Sequence, residues 1–295
     1  MVIKIDRMEL ADLGNPTALA SAVLQQLGAP AFPTPIEQIA YGCGITEIAR
    51  LQPQGFEGAL ITNPAKSEGI ILVNKLNMPQ RRRFTVGHEL GHYLNPWHLP
   101  PEGGFKCTAQ DMITSEKQAE RNRQRMEVEA NEFAAEVLMP AALFRARLRA
   151  TRAEPSTEAF CTVADEFEVS ALASGRRMVD LRKDCALVLS QEGRILQLHR
   201  GGEFPFITRA IGDHVPPHSI TKRIQGEPQE HSDTDEVDPE VWTQASVARG
   251  AKFSEQVYFQ GSNFRLTLLV LDDSECEAVE EEDELIRSYA PRFRS

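Results

Sequence analysis

Residues 88–92 read His-Glu-Leu-Gly-His, and two histidines four apart constrain this chain more than any other feature of it. On an α-helix their imidazoles lie one turn apart on the same face, so both can reach one metal ion. Glu89, offset by one residue, can take a proton from water at that ion. The spacing asks for a helix, and the flanking sequence provides one. Pro79 suits a first turn, residues 80–94 contain no proline, and Asn95-Pro96 ends the run. Phe84, Val86, Leu90 and Leu94 give the segment an apolar side, so the motif is expected on a buried helix. Two imidazoles and a carboxylate buried together are costly without a cation to share.

A catalytic zinc needs a third protein ligand and an open position. A second helix is expected over residues 115–138, capped by Ser115 and stopped at Met139-Pro140. On it Glu127, Asn131, Ala134 and Leu138 share one face. Glu127 is the candidate third ligand, and Asn131, one turn later, can hydrogen-bond a ligating histidine. Glu129 is the rival. It points away from the stripe of Ala134 and Leu138, so helical phase favours Glu127. The expected cofactor is Zn2+; a His/His/Glu site also accepts Mn2+ or Fe2+.

His88-Glu89-Leu90-Gly91-His92, then Glu127, then Ala130-Asn131-Glu132-Phe133-Ala134-Ala135-Glu136-Val137-Leu138-Met139-Pro140, with Arg83-Phe84-Thr85-Val86-Gly87 ahead of the first motif, resembles the ImmA/IrrE metallopeptidase family. The resemblance extends over residues 30–182. It implies a zincin-like fold, zinc held by His88, His92 and Glu127, and Glu89 as general base. In that family the carboxylate four residues before the Asn is the usual ligand. Its members cut helix-turn-helix repressor proteins and so release genes of mobile elements or DNA-damage responses. For this chain the resemblance implies a zinc-dependent endopeptidase whose partner is a helix-turn-helix transcription repressor. The alternative is a non-proteolytic regulator that holds a repressor or DNA on the same fold. Glu89 argues for catalysis, since binding alone has no use for a base.

The expected fold class is α+β: a zincin-like metallopeptidase domain over 1–140, a helical, helix-turn-helix-like segment over 141–183, and a strand-rich domain over 184–295. In the first domain, helices are expected at 16–27 and 34–42, the latter opened by Thr34-Pro35-Ile36-Glu37 in capping-box form. Strands are expected at 45–50, 57–62 and 69–74. By analogy with zincins, 69–74 is the edge strand that pairs with an extended substrate. Short helices follow at 141–150, 156–167 and 171–182. The last carries Arg176, Arg177 and Arg182, with Lys183 following, but two adjacent helices pack far more often than they read DNA. Hairpins are expected at 186–190 with 195–199 and at 252–260 with 263–271, and a Pro-, His- and acid-rich loop at 212–238.

A chain of 295 residues with 41% hydrophobic content is long enough for two domains. It has no apolar run of about 18 residues and no charged-then-apolar leader, so neither a membrane span nor a secretion signal is expected and the expected setting is cytoplasmic. Five scattered cysteines, Cys43, Cys107, Cys161, Cys185 and Cys276, argue for reduced thiols over a disulfide framework. Cys107, between the motif helices, is either a structural thiol or one able to occupy the open zinc position. The net charge of -11 disfavours nonspecific binding to nucleic acid, with acidic residues crowded into 272–284. Tyr93 and His98 are candidates, by proximity in sequence alone, for stabilising an oxyanion. His199, His214, His218 and His231 lack ligand spacing and are expected at the surface.

Overall fold

A computed structural model describes residues 3–28, 32–52, 56–99, 105–107, 122–244 and 252–272. The fold is α+β. By compactness the chain divides into two units, one drawing on residues up to Arg152 and on Ala159–Arg177, the other on Ala153–Glu158 and residues from Met178 onward.

The first unit opens with α1 (Pro16–Gln25) and α2 (Ile36–Gly42). Asn15 caps α1, its side chain accepting from the Ala18 amide at 2.9 Å. The capping box expected at Thr34 does not form. Pro35 is the N-cap, without a side-chain bond, and the buried Thr34 hydroxyl instead donates to the Val137 carbonyl at 2.9 Å. A tertiary acceptor for the hydroxyl has won over the local amide donor.

Strands β1 (Ile45–Leu51), β2 (Gly58–Thr62), β3 (Gly69–Asn74) and β4 (Phe105–Cys107) form a sheet in the order β1-β3-β2-β4. β1 runs parallel to β3, and the other two pairs are antiparallel. Strand 69–74, expected at the edge, is therefore internal, bonded by β1 on one side and β2 on the other. Its sequence explains why: Ile70, Ile71, Leu72 and Val73 are apolar on both faces, as suits a strand covered on each side. Among the described strands the edges are β1 and β4.

Helix α3 (Pro79–Leu94) carries the His-Glu-Leu-Gly-His motif, and every residue from Thr85 to Leu94 is buried. It crosses α4 (Asn122–Leu138) at near-backbone distance. A Cβ added to Gly87 would lie 3.3 Å from the Ala134 Cβ, and one added to Gly91 would lie 3.1 Å from Phe133 Cδ1 and 3.3 Å from Ala130 Cα. Two glycines one turn apart, facing two alanines, thus bring the helices close enough for short side chains to meet across them.

Three more helices follow, α5 (Ala141–Thr151), α6 (Thr157–Phe167) and α7 (Ala171–Arg182). The stretch expected as a segment apart, 141–183, is divided: 141–152 and 159–177 belong to the first unit. Packing is the reason. Phe167 stacks on Phe32 at 5.4 Å and tilts against Phe144 at 5.7 Å. Arg177 binds the Glu136 carboxylate and the Met139 carbonyl. That arginine, considered for DNA, is thereby engaged inside the protein.

The second unit is built on an antiparallel sheet in the order β6-β5-β9-β8-β7, from β5 (Cys185–Gln191), β6 (Arg194–Arg200), β7 (Asp235–Val237), β8 (Lys252–Phe259) and β9 (Phe264–Asp272). Glu192 and Gly193 take positive φ in the first hairpin turn, the conformation that suits a two-residue loop. Ala186, Val188, Phe204, Trp242, Phe253 and Leu269 centre its core. Residues 212–238, expected as loop, contain β7 and a short helix α8 (Ile220–Arg223). Val215, Ile220 and Val237, widely spaced in a polar sequence, are buried and tie this stretch down.

Two of the histidines expected at the surface, His199 and His231, are half-buried. Ser115, the Cys107 side chain and the acidic run beyond Asp272 lie outside the described residues. No helix among the described residues is long and apolar enough to cross a membrane.

Candidate metal centre

The crossing of α3 and α4 brings His88, His92 and Glu127 together. His88 Nε2 lies 3.2 Å from His92 Nε2 and 3.2 Å from Glu127 Oε2, which is 3.5 Å from His92 Nε2. All three side chains are buried, and their donor atoms lie within 4.8 Å of one another, close enough to hold a metal ion. Behind them, His88 Nδ1 is 3.0 Å from Asn131 Oδ1, one turn beyond Glu127. A neutral ring that donates from Nδ1 presents a lone pair at Nε2. The cluster is then an oxygen and two nitrogens that all accept, converging where water is excluded. It calls for a cation.

The same crowding sets how these groups hold protons. Burial alone would push His88 down, but its contact with Glu127, the charge of Glu89 and the bond to Asn131 outweigh it and raise its pKa. Burial opposes ionisation of Glu127, yet the hydrogen bonds to His88 and His92 hold its carboxyl well below the usual range. His92, desolvated and beside His88, is pushed down to about 3. An anionic carboxylate and a neutral imidazole are the ligating forms.

The sequence of residues 47–178 matches the model of the peptidase M78 family, described as the IrrE N-terminal-like domain. The match spans the sheet, both motif helices and α5 and α6, and so includes the His/His/Glu group. A search of solved structures finds a Mycobacterium tuberculosis transcriptional regulator with a TM-score of 0.55 at 15% identity, covering 90% of this chain and 79% of that one. At that identity the likeness is one of fold. No curated protein matches the sequence.

Glu89 is fully buried beside the cluster, and β2 passes close over it. A Cβ added to Gly58 would lie 2.7 Å from Glu89 Oε1 and 2.4 Å from Thr85 Cγ2. Gly58 thus leaves the room in which the carboxylate sits. Nothing in the local sequence announces this, since strand and helix meet across 31 residues of chain.

Glu129, the rival ligand, faces elsewhere. Its carboxylate lies 2.9 Å from His98 Nε2 and 2.6 Å from Arg125 Nε, and His98 Nδ1 lies 3.0 Å from His92 Nδ1. His98 therefore stands behind His92, on the side opposite Nε2. A signal for it exists in the sequence: it follows His92 by six residues, the spacing of the third histidine in the HExxHxxGxxH zinc motif. That motif turns the chain at a glycine, and here Asn95 occupies the glycine's place.

Tyr93, the other oxyanion candidate, points away from the cluster. Its hydroxyl accepts from Arg7 at 2.9 Å, and the Arg7 guanidinium lies 4.5 Å over its ring. Lys66, which sequence reasoning passed over, closes the end of α3. Its ammonium donates to the His92 and Asn95 carbonyls, both at 2.7 Å, supplying the last turn with donors and a positive charge. Burial and the neighbouring Arg7 lower its pKa to about 8.

Proposed function

We propose that the chain is a zinc-dependent endopeptidase, with His88, His92 and Glu127 as ligands and Glu89 as general base. The observation that carries this reading is the convergence of His88 Nε2, His92 Nε2 and Glu127 Oε2 in a buried site, with Glu89 one residue from the first ligand. A zinc ion held there supplies Lewis acidity and makes water nucleophilic at neutral pH. Glu89 would accept a proton from the attacking water and pass it to the leaving amine. Asn131 orients the His88 ring, and the glycines of α3 keep both helices at the distance the ligand set needs.

For the substrate we infer a helix-turn-helix transcription repressor, cut at one bond in an exposed segment, in a cytoplasmic setting. Cleavage would induce stress-response or mobile-element genes. Support comes from the IrrE-like domain and from the solved neighbour, which is named a transcriptional regulator. A physical ground points the same way: a protease that must recognise an extended segment of one partner confines its chemistry to that partner. Glu89→Gln should keep zinc and fold and hold the partner uncut. Pull-down with this variant, followed by mass spectrometry, should recover a DNA-binding protein that the parent cuts at one site. Recovery of none, or cleavage by Glu89→Gln at the parent's rate, overturns the proposal. Capture of a repressor that the parent never cuts would establish the binding-only regulator instead.

A further inference from the structure

A ligand set of three does not need the row of contacts behind His92. From His92 Nδ1 it runs 3.0 Å to His98 Nδ1, from His98 Nε2 2.9 Å to Glu129 Oε2, and from Glu129 Oε1 2.6 Å to Arg125 Nε. We propose that His98 and Glu129 are positioning residues that lock His92 in one tautomer, with its proton on Nδ1 and its Nε2 lone pair aimed at the metal. The inference rests on the reading of His88, His92 and Glu127 as a zinc site.

The direction of every hydrogen follows from the far end. An ionised carboxylate only accepts, so His98 carries its hydrogen on Nε2. A neutral His98 then has a lone pair on Nδ1, and the contact with His92 is a hydrogen bond only if His92 Nδ1 donates. His92 Nε2 is left as the ligating lone pair. On the other ligand, Asn131 makes the same contact with one amide, which could turn and offer its NH2 group. The relay behind His92 has no such freedom, because Glu129 has no hydrogen to give.

The segment that carries His98 is built to hold it there. Asn95 donates to the Gly14 carbonyl at 3.0 Å and accepts from the Trp97 amide at 3.0 Å, while Lys66 grips the Asn95 carbonyl at 2.7 Å. These bonds turn the chain so that His98, 1% exposed, arrives behind His92. An imidazole that merely filled this space would be desolvated for nothing, and an apolar side chain would fill it at lower cost. A carboxylate behind a ligating histidine raises its basicity and fixes its ring; here the effect is passed through a second imidazole.

The test uses the full-length protein and two readouts, zinc affinity by competition with a chromophoric chelator and the side-chain 1H–15N NMR signals of the zinc-loaded form. His98→Ala should weaken zinc binding by roughly 10–100-fold and expose the His92 Nδ1 proton to rapid exchange. His98→Asn, whose amide oxygen can take the place of Nδ1 as acceptor, should restore that proton signal and bring affinity to within about threefold of the parent. If the parent binds zinc and Glu127→Ala loses it, but His98→Ala binds zinc as the parent does, the inference falls and the site stands. His98→Asn as weak as His98→Ala, or lacking the proton signal, also overturns it. A parent that binds no zinc, or a Glu127→Ala variant that binds it as tightly as the parent, overturns the metal site itself.

Discussion

Glu255, on β8 of the second unit, is fully buried and accepts three hydrogen bonds from donors that cannot turn away easily: the Thr221 amide at 2.7 Å, the Thr221 hydroxyl at 2.6 Å and the Trp242 indole at 3.0 Å. Glu127, on α4 of the first unit, is also buried but faces two imidazole Nε2 atoms at 3.2 and 3.5 Å. Both carboxylates are costly to bury. Around Glu255 the protein supplies that cost's remedy from its own N–H and O–H groups, and the result ties α8, β8 and Trp242 together. Around Glu127 the groups that meet it are themselves acceptors once their rings are neutral. A buried acid ringed by donors is a structural element; a buried acid ringed by acceptors is half of a site.

The two carboxylates should therefore fail in opposite ways. Glu127→Ala should abolish zinc binding, a larger loss than the roughly 10–100-fold that outer partners such as His98 cost, and leave the second unit untouched. Glu255→Ala should leave zinc affinity unchanged and destabilise the second unit by roughly 1–3 kcal/mol for each buried donor left unsatisfied. Metal analysis and urea unfolding of both variants check this. Zinc loss in Glu255→Ala, or full zinc retention in Glu127→Ala, breaks the distinction. Glu129→Ala belongs between them: its carboxylate serves His98, so zinc should remain largely bound.

A smaller effect is expected where the protein has made room for Glu89 without touching the proposed ligands. Gly58→Ala places a methyl group 2.7 Å from Glu89 Oε1 and 2.4 Å from Thr85 Cγ2, so one or both side chains must move. Displacement of a catalytic group by about 1 Å can cost on the order of 100-fold. Peptide hydrolysis should drop by roughly 10–100-fold while zinc affinity stays at the parent value. Equal loss of zinc would place the damage in the ligand set and not in the base.

These contrasts also divide what was legible in the sequence from what was not. The motif helix and the meeting of Glu127 and Asn131 with His88 are matters of helical phase, and a period of 3.6 can be read along one strand of text. Strands β1, β2 and β3 of the first sheet were legible along the sequence, but β4 was not, and neither was the internal place of 69–74, because edge and centre are decided by strand order. The donors to Glu255 come from Thr221 and Trp242, the former 34 residues away, and no local period links them. His98 carried a spacing signal that was readable, but its direction, behind His92, depends on Asn95, Gly14 and Lys66 together. Residues 212–238 looked like loop because three apolar anchors in a polar stretch make no period at all.

The smallest expected effect tests whether the second unit has a pH-sensitive joint of its own, apart from the metal centre. His231 is half-buried, stacks on Tyr258 at 4.6 Å and shares a 2.7 Å hydrogen bond with the Thr157 hydroxyl. Burial lowers its pKa, against the opposing pull of Glu158. The folded protein thus favours the neutral ring more than the unfolded chain does. Above pH of about 6.5 both forms are neutral and the contribution is complete. As the pH falls below that value the unfolded chain takes up the proton first, so stability is lost until the folded ring also protonates. Glu158, held below the usual carboxylate range chiefly by hydrogen bonds that outweigh its burial, stays ionised over the upper part of this window and does not mask it. In a Trp97→Phe background Trp242 alone reports on the second unit by fluorescence. Urea midpoints at pH 7.5 and 5.5 should then fall further for the parent than for His231→Gln. An equal fall in both would locate the acid sensitivity in other groups and leave the second unit without this joint.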